Sequence, residues 1–162
     1  MADHVLRSDH PMKPIRIKNT YDLLYAYGAF DLDHYVARPR AATHQELQTF
    51  HSLEYISAVE SLSKGSHRFD PGKYNFSLTG DNPYFPGMYE SALISTGGSV
   101  MGAELLCEGS VNRVFNIGGG LHHAAAGRAS GFCVFNDPVI AINHFLDKGM
   151  RVAYIDIDCH HG

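Results

Sequence analysis

The 162-residue sequence contains no tryptophan and only three cysteines, Cys107, Cys133 and Cys159, none in a Cys-x-x-Cys spacing. An odd count without paired spacing argues against a disulfide framework and favours a reducing compartment. No apolar run reaches the roughly 20 residues that a membrane helix needs. The opening stretch MADHVLRSDHPMKP has no apolar core and does not read as a secretory signal. Positive charge is not in excess either: 13 Lys and Arg against 17 Asp and Glu give a formal net charge of −4. That removes the electrostatic reason to expect nucleic acid or anionic membrane as a partner. Internal repeats and low-complexity tracts are absent as well. These absences point to one globular domain in the cytoplasm, or in nucleus and cytoplasm if the source is eukaryotic.

Histidine, by contrast, is plentiful, with 11 residues. His4, His34, His44, His67 and His144 are scattered and read as solvated. The rest fall in denser motifs, whose setting depends on the elements around them. Thr20 is placed to cap a helix through YDLLYAYG that stops at Gly28, and LQTFH (47–51) reads as a short strand. Ser52 caps a helix LEYISAVESLS ended by Lys64-Gly65, and residues 66–87, rich in Gly and Pro, form a long loop. A long helix follows over 88–108 and closes at Gly109; the Gly97-Gly98 pair inside it reads as close helix packing. Two nearly continuous apolar segments, NRVFNI (112–117) and RVAYIDI (151–157), flank a helix PVIAINHFLD that Asp137 caps and Pro138 starts. Apolar strands of this kind fit parallel pairing with both faces covered, so the expectation is a βαβ unit.

Both polar clusters sit beyond the carboxyl ends of those strands, where open parallel sheets gather ligands. GGGLHH (118–123) follows the first and DIDCHHG (156–162) ends the second. In an extended chain Asp156, Asp158 and His160 share a side, spaced at roughly 6.6 Å. Two of them can converge on one ion, whereas three require a curl. Asp158 and His160, the outermost pair, are the better metal ligands, and Asp156 suits a supporting role that fixes another histidine's tautomer. His122, His123 and His161 are open as a third ligand. An N/O donor set fits Zn²⁺, Fe²⁺ or Mn²⁺. Cys159 is expected to face away and pack. His122 and His123, on a loop freed by three glycines, suit general acid–base work. Phe132 after Gly131 reads equally as the wall of a slot or as a core side chain.

GGGLHHAAAGRASGFCVFNDP and RVAYIDIDCHHG resemble the zinc-dependent histone deacetylases and their bacterial relatives, the acetoin-utilisation deacetylases. DHPMKPIRI, FHSLEYI, GDNPYFPGMYE and STGGS resemble class I members in the same order. The resemblance implies a three-layer α/β arginase/deacetylase-like fold with a mainly parallel sheet. It further implies hydrolysis of acetyl-lysine, in histones or other proteins, to amine and acetate. By motif, His122 and His123 resemble the tandem catalytic histidines, His123 the base, and Asp156 resembles the partner of His122. Asp158 and His160 resemble metal ligands for Zn²⁺, or Fe²⁺, and Asp156, Asp158 and His160 also resemble part of a K⁺ site. Asp81 resembles the rim aspartate that grips substrate, Gly131 and Phe132 the tunnel wall, and Arg16 the arginine of the internal pocket.

Such catalytic domains run to roughly twice this length, and a later Asp ligand and an oxyanion tyrosine have no counterpart here. The expectation is therefore that residues 1–162 are the N-terminal portion of a single catalytic domain, with an incomplete fold and little activity alone. An uncovered sheet edge would favour self-association. A small-amide or acetylpolyamine deacetylase, an arginase-like two-metal enzyme, and a non-catalytic fragment serving as an interaction module are the competing readings.

Overall fold

A computed structural model describes residues 10–31 and 35–161. Among the described residues five α-helices run in order: α1 Ile15–Ala26, α2 His44–Leu47, α3 Leu53–Ser63, α4 Met88–Cys107 and α5 Asp137–Asp147, with a 3₁₀ turn at Pro71–Tyr74. The starts of α2 and α3 follow directly from side-chain capping. The Thr43 hydroxyl accepts from Glu46 N while the Glu46 carboxylate accepts from Thr43 N, a reciprocal pair that satisfies two orphan donors. Ser52 accepts from Tyr55 N at the head of α3. Arg40 then ties α2 to α4, with its guanidinium forked onto Glu46 at 2.6 and 3.0 Å and touching Glu104 at 2.5 Å.

α4 is the central element and packs against both α3 and α5. Leu47, Ile56, Val59, Val100 and Ile140 are fully buried around it, together with Tyr55, Met88 and Phe135. Each such side chain contributes roughly 1.5–3 kcal/mol on leaving water. The glycine pair of α4 lies where neighbours press closest. A Cβ on Gly97 would sit 2.0 Å from Arg40 O, and one on Gly98 would sit 2.9 Å from the Asn116 amide. Close packing accounts for both.

Several sequence expectations need correction. α1 begins at Ile15 behind Pro14, whose fixed φ suits a first turn, so Thr20 is not its cap; its hydroxyl donates to Arg16 O inside the helix. LQTFH is no strand, because Leu47 closes α2 and residues 48–50 turn. Asn136, not Asp137, caps α5, its Oδ1 accepting from Val139 N. Residues 112–117 and 151–157 form no ladder: among the described residues the only β pairings are the isolated antiparallel bridges Ala125–Arg128 and Ser130–Cys133. An extended segment has no internal hydrogen bonds and becomes a strand only beside a partner. Without one, Phe115 is 72%, Ile155 81% and Ile157 95% exposed, where buried strands were expected. Among the described residues, no helix is long and apolar enough to cross a membrane.

Candidate active site

The loop after residue 117 is anchored at nearly every backbone group. Gly118 N donates to Asn116 Oδ1 at 3.1 Å, and Gly119 N to Asn116 O at 3.2 Å. Gly120 N and Leu121 N donate to the two oxygens of Asp137 at 3.0 and 2.8 Å. The Asn136 amide donates to His122 O at 2.8 Å and to Ala124 O at 3.0 Å. A Cβ on Gly119 would stand 2.5 Å from Asp137 Oδ2, which is why the loop can lie so close to α5. Asp137 is buried, and burial pushes its carboxyl above the ordinary value against the pull of the Ser99 hydroxyl and the two N–H groups.

This anchoring brings the tandem histidines to residues 156–160. His122 Nδ1 contacts Asp156 Oδ2, and the Nε2 atoms of His122 and His123 are 3.1 Å apart. A carboxylate only accepts, so neutral His122 carries its proton on Nδ1 and its Nε2 accepts from His123 Nε2–H. Asp156 is held down to about 2, first by the Tyr154 hydroxyl, then by Asp158 N–H and His122. His123 lies below the ordinary imidazole value, chiefly through desolvation and then through the neighbouring rings of His122 and His160. Its ring is 6.0 Å from that of His160 and 6.2 Å from that of His161, centre to centre.

The carboxylates also shape the backbone. Asp156 Oδ1 accepts from Asp158 N at 3.0 Å, and Asp158 Oδ1 accepts from His160 N at 2.7 Å. These bonds bend the chain at residues 159–160, away from the straight alternation expected there. Donor atoms of His122, His123 and Asp158 all lie within 4.8 Å of one another, as do those of Asp158, Cys159 and His160. Asp158 thus belongs to both groups. An N/O set of this spread fits a divalent cation after a small contraction, since two bonds of about 2.0–2.2 Å span nearly that distance. Cys159 does not pack as expected; the bend exposes it, with its Sγ 3.6 Å from His160 Nδ1.

Gly131 and Phe132 stand beside this centre. A Cβ on Gly131, at φ +49°, would come within 2.4 Å of His123 Cδ2, so glycine is required for both conformation and space. Phe132 is half-buried and takes a φ of 69°, a strained value for an aromatic residue, held by Phe132 N donating to Asn82 Oδ1 at 2.9 Å. The buried His10 packs edge-on against Phe132 at 4.6 Å, and its Nε2–H donates to Asp81 O at 3.2 Å. Asp81 is exposed and shares a polar cavity of about 350 Å³ with Gly131, Asn75 and Ser130. Arg16 is exposed rather than internal and lines a cavity of about 100 Å³ with Met88, Gly118, Leu121 and Phe132.

Asn136, Asp137, His51, Asn82 and His10 escape the sequence reading as site residues. His51 lies 85 positions from its partner, its Nε2 accepting from Asn136 N at 3.0 Å and its Nδ1–H donating to Ala126 O at 3.3 Å. Only the placement of His10 and His51 inside dense motifs hinted at such work.

A glycine-anchored loop with paired imidazoles faces carboxylates here, the kinds of group that a metal-assisted hydrolase would use. The histone deacetylase domain model matches residues 10–162, and the chain belongs to that family. It is 40% identical over 160 residues to the acetoin utilization protein AcuC of Bacillus subtilis, covering 98% of this chain and 41% of that protein. It is 40% identical over 164 residues to the histone deacetylase RPD3 of Saccharomyces cerevisiae, covering 100% of this chain and 37% of that one. Human histone deacetylase 1 is 41% identical over 154 residues, 94% of this chain and 32% of the human protein. The chain therefore spans about a third to two-fifths of the length of these relatives. Family membership implies the arginase/deacetylase fold.

Proposed function

We infer that the protein carrying this sequence is a metal-dependent amide hydrolase that removes acetyl groups from acetyl-lysine in proteins, histones included. The observation that carries this reading is the convergence of His122 and His123 on Asp158, with donor atoms within 4.8 Å. Asp158 and His160 would hold the cation, zinc or iron(II). When bound, it would supply Lewis-acid polarisation of the acetyl carbonyl and a water of lowered pKa.

The chain's own residues have distinct tasks. His123, kept neutral by its surroundings, accepts the proton of the attacking water. His122, whose Nδ1–H is held by the Asp156 carboxylate, would pass a proton to the departing amine. Gly131 and Phe132 form the wall along which the lysine stem lies. Asp81 accepts backbone N–H groups of the substrate at the rim, and Arg16 pairs with acetate in the cavity it lines. Carbonyls around Asp156–His160 would take a monovalent cation, potassium. Residues 1–162 form the N-terminal portion of one catalytic domain, whose mainly parallel sheet would include 112–117 and 151–157.

The test compares acetate release from an acetyl-lysine peptide and from an acetylated polyamine, with and without chelator. We expect chelator-sensitive turnover that favours the peptide and little turnover by the 162-residue chain alone. His123→Ala should lower kcat by about 10²–10⁴-fold with metal content retained. Loss of metal from that variant, or a preserved rate, contradicts the assignment.

A further inference from the structure

We propose that Asn136 and Asp137 are positioning residues for the reaction: together they clamp the backbone on both sides of the tandem histidines and thereby aim the two imidazoles. The inference rests on the deacetylase reading for its kinetic consequence, but its structural content stands apart from it.

Four hydrogen bonds carry the argument. Asp137 takes the N–H groups of Gly120 and Leu121, just before His122. Asn136 gives its amide hydrogens to the carbonyls of His122 and Ala124, which bracket His123. One dipeptide thus fixes the loop through N–H groups upstream and C=O groups downstream. Its own position is over-determined. Asn136 Oδ1 caps α5 through Val139 N, and Asn136 N donates to the neutral ring of His51. Asp137 is 1% exposed and also accepts from Ser99 Oγ, which in turn accepts from the Asn116 amide at 2.9 Å. A buried carboxylate costs too much to keep without such partners, so its hydrogen bonds are strong and directional. Neither residue reaches the cation-binding groups; both act through the backbone that carries His122 and His123. A displacement of about 1 Å at reacting groups can reduce rate about 10²-fold.

Isosteric variants separate positioning from mere folding. Asn136→Asp keeps the capping oxygen, and Asp is as good an N-cap as Asn, but it turns an acceptor toward two carbonyls. Asp137→Asn keeps shape while presenting an amide to two N–H donors. The first readout needs neither metal nor turnover: proton–nitrogen correlation spectra of the imidazoles. Wild-type protein should show His122 as the Nδ1–H tautomer, and either variant should shift or broaden the His122 and His123 signals while leaving those of exposed His67 in place. The second readout is kinetic. Either variant should lower kcat 10- to 100-fold with KM changed less than twofold. Ile140→Val, a core change in α5 at a comparable thermal shift, should leave kcat unchanged. Unshifted histidine signals, or a loss confined to KM, or an equal kcat loss in Ile140→Val, overturns the proposal. Should the Asp137 variant not fold, Asn136→Asp and Ser99→Ala, which removes one partner of the same carboxylate, decide by the same readouts. If the complete protein carrying this sequence shows no deacetylation, the reaction reading fails while the spectra still judge the clamp.

Discussion

Acidification should destabilise this fold through one side chain, His51, by an amount that can be worked out. His51 is 2% exposed and stays neutral because both ring nitrogens are committed, Nδ1–H to Ala126 O and Nε2 to Asn136 N–H. Protonation would place a hydrogen where Nε2 accepts and would bury a charge. Desolvation, the largest effect, brings its pKa down from 6.5 to about 4. The unfolded chain therefore binds this proton at higher pH than the fold does. The stabilisation is intact above about pH 6.5 and is lost as pH falls through the window down to about 4. Between pH 7 and pH 5 the loss is about 2 kcal/mol, and the full window is worth about 3 kcal/mol. The sequence has no tryptophan, so urea unfolding is best followed by circular dichroism at pH 7, 6 and 5. With a slope of roughly 2 kcal/mol/M, the midpoint should drop by about 1 M. His51→Gln lowers stability at pH 7 by about 1–3 kcal/mol, since the flexible amide cannot hold Asn136 N–H and Ala126 O together as the ring does. It should also flatten the pH dependence. Asp137, raised by burial, titrates with the opposite sign, but it does so in both proteins and cancels in the comparison. An equal drop in wild type and His51→Gln would refute the assignment.

Two further outcomes follow from the geometry. Gly131→Ala should displace His123, since the added Cβ would stand 2.4 Å from its ring at a φ that disfavours alanine; kcat should fall at least tenfold with acetyl-lysine peptide, whereas Gly127→Ala, with open space around it, should be neutral. The exposed apolar segment around Ile155 and Ile157 should drive self-association of the 162-residue chain, so sedimentation should show concentration-dependent dimers or larger species, and Ile157→Lys should reduce them; a monomer at all concentrations would contradict this.

Features decided locally were legible in the chain. Ser52 and Gly65 bound α3, and Pro138 falls in the first turn of α5, one position later than expected, because caps and fixed dihedrals act within a few residues. The one-residue error at Asn136 arises because the Asp137 side chain turns back to the Gly120–Leu121 backbone, a tertiary choice. LQTFH misled because its apolar residues hid the Thr43–Glu46 capping pair just upstream. Apolar runs at 112–117 and 151–157 state that these segments seek burial, but the identity of a strand's partner is not encoded in the strand. The meeting of GGGLHH with DIDCHH could be read from their common position after segments flanking α5, and His122 does reach Asp156. The fit of Gly131 against His123 and the His51–Asn136 bond could not, since both depend on how distant loops stack.

The central claim is that Asp158 and His160 grip one divalent cation in front of the paired imidazoles. Titration of the complete apo protein with Co²⁺, read by visible absorption, tests it most directly. One tight equivalent should give the intense bands of a low-coordinate site, lost in Asp158→Ala and His160→Ala and kept in His67→Ala. Equal binding and identical bands in Asp158→Ala and wild type would contradict it.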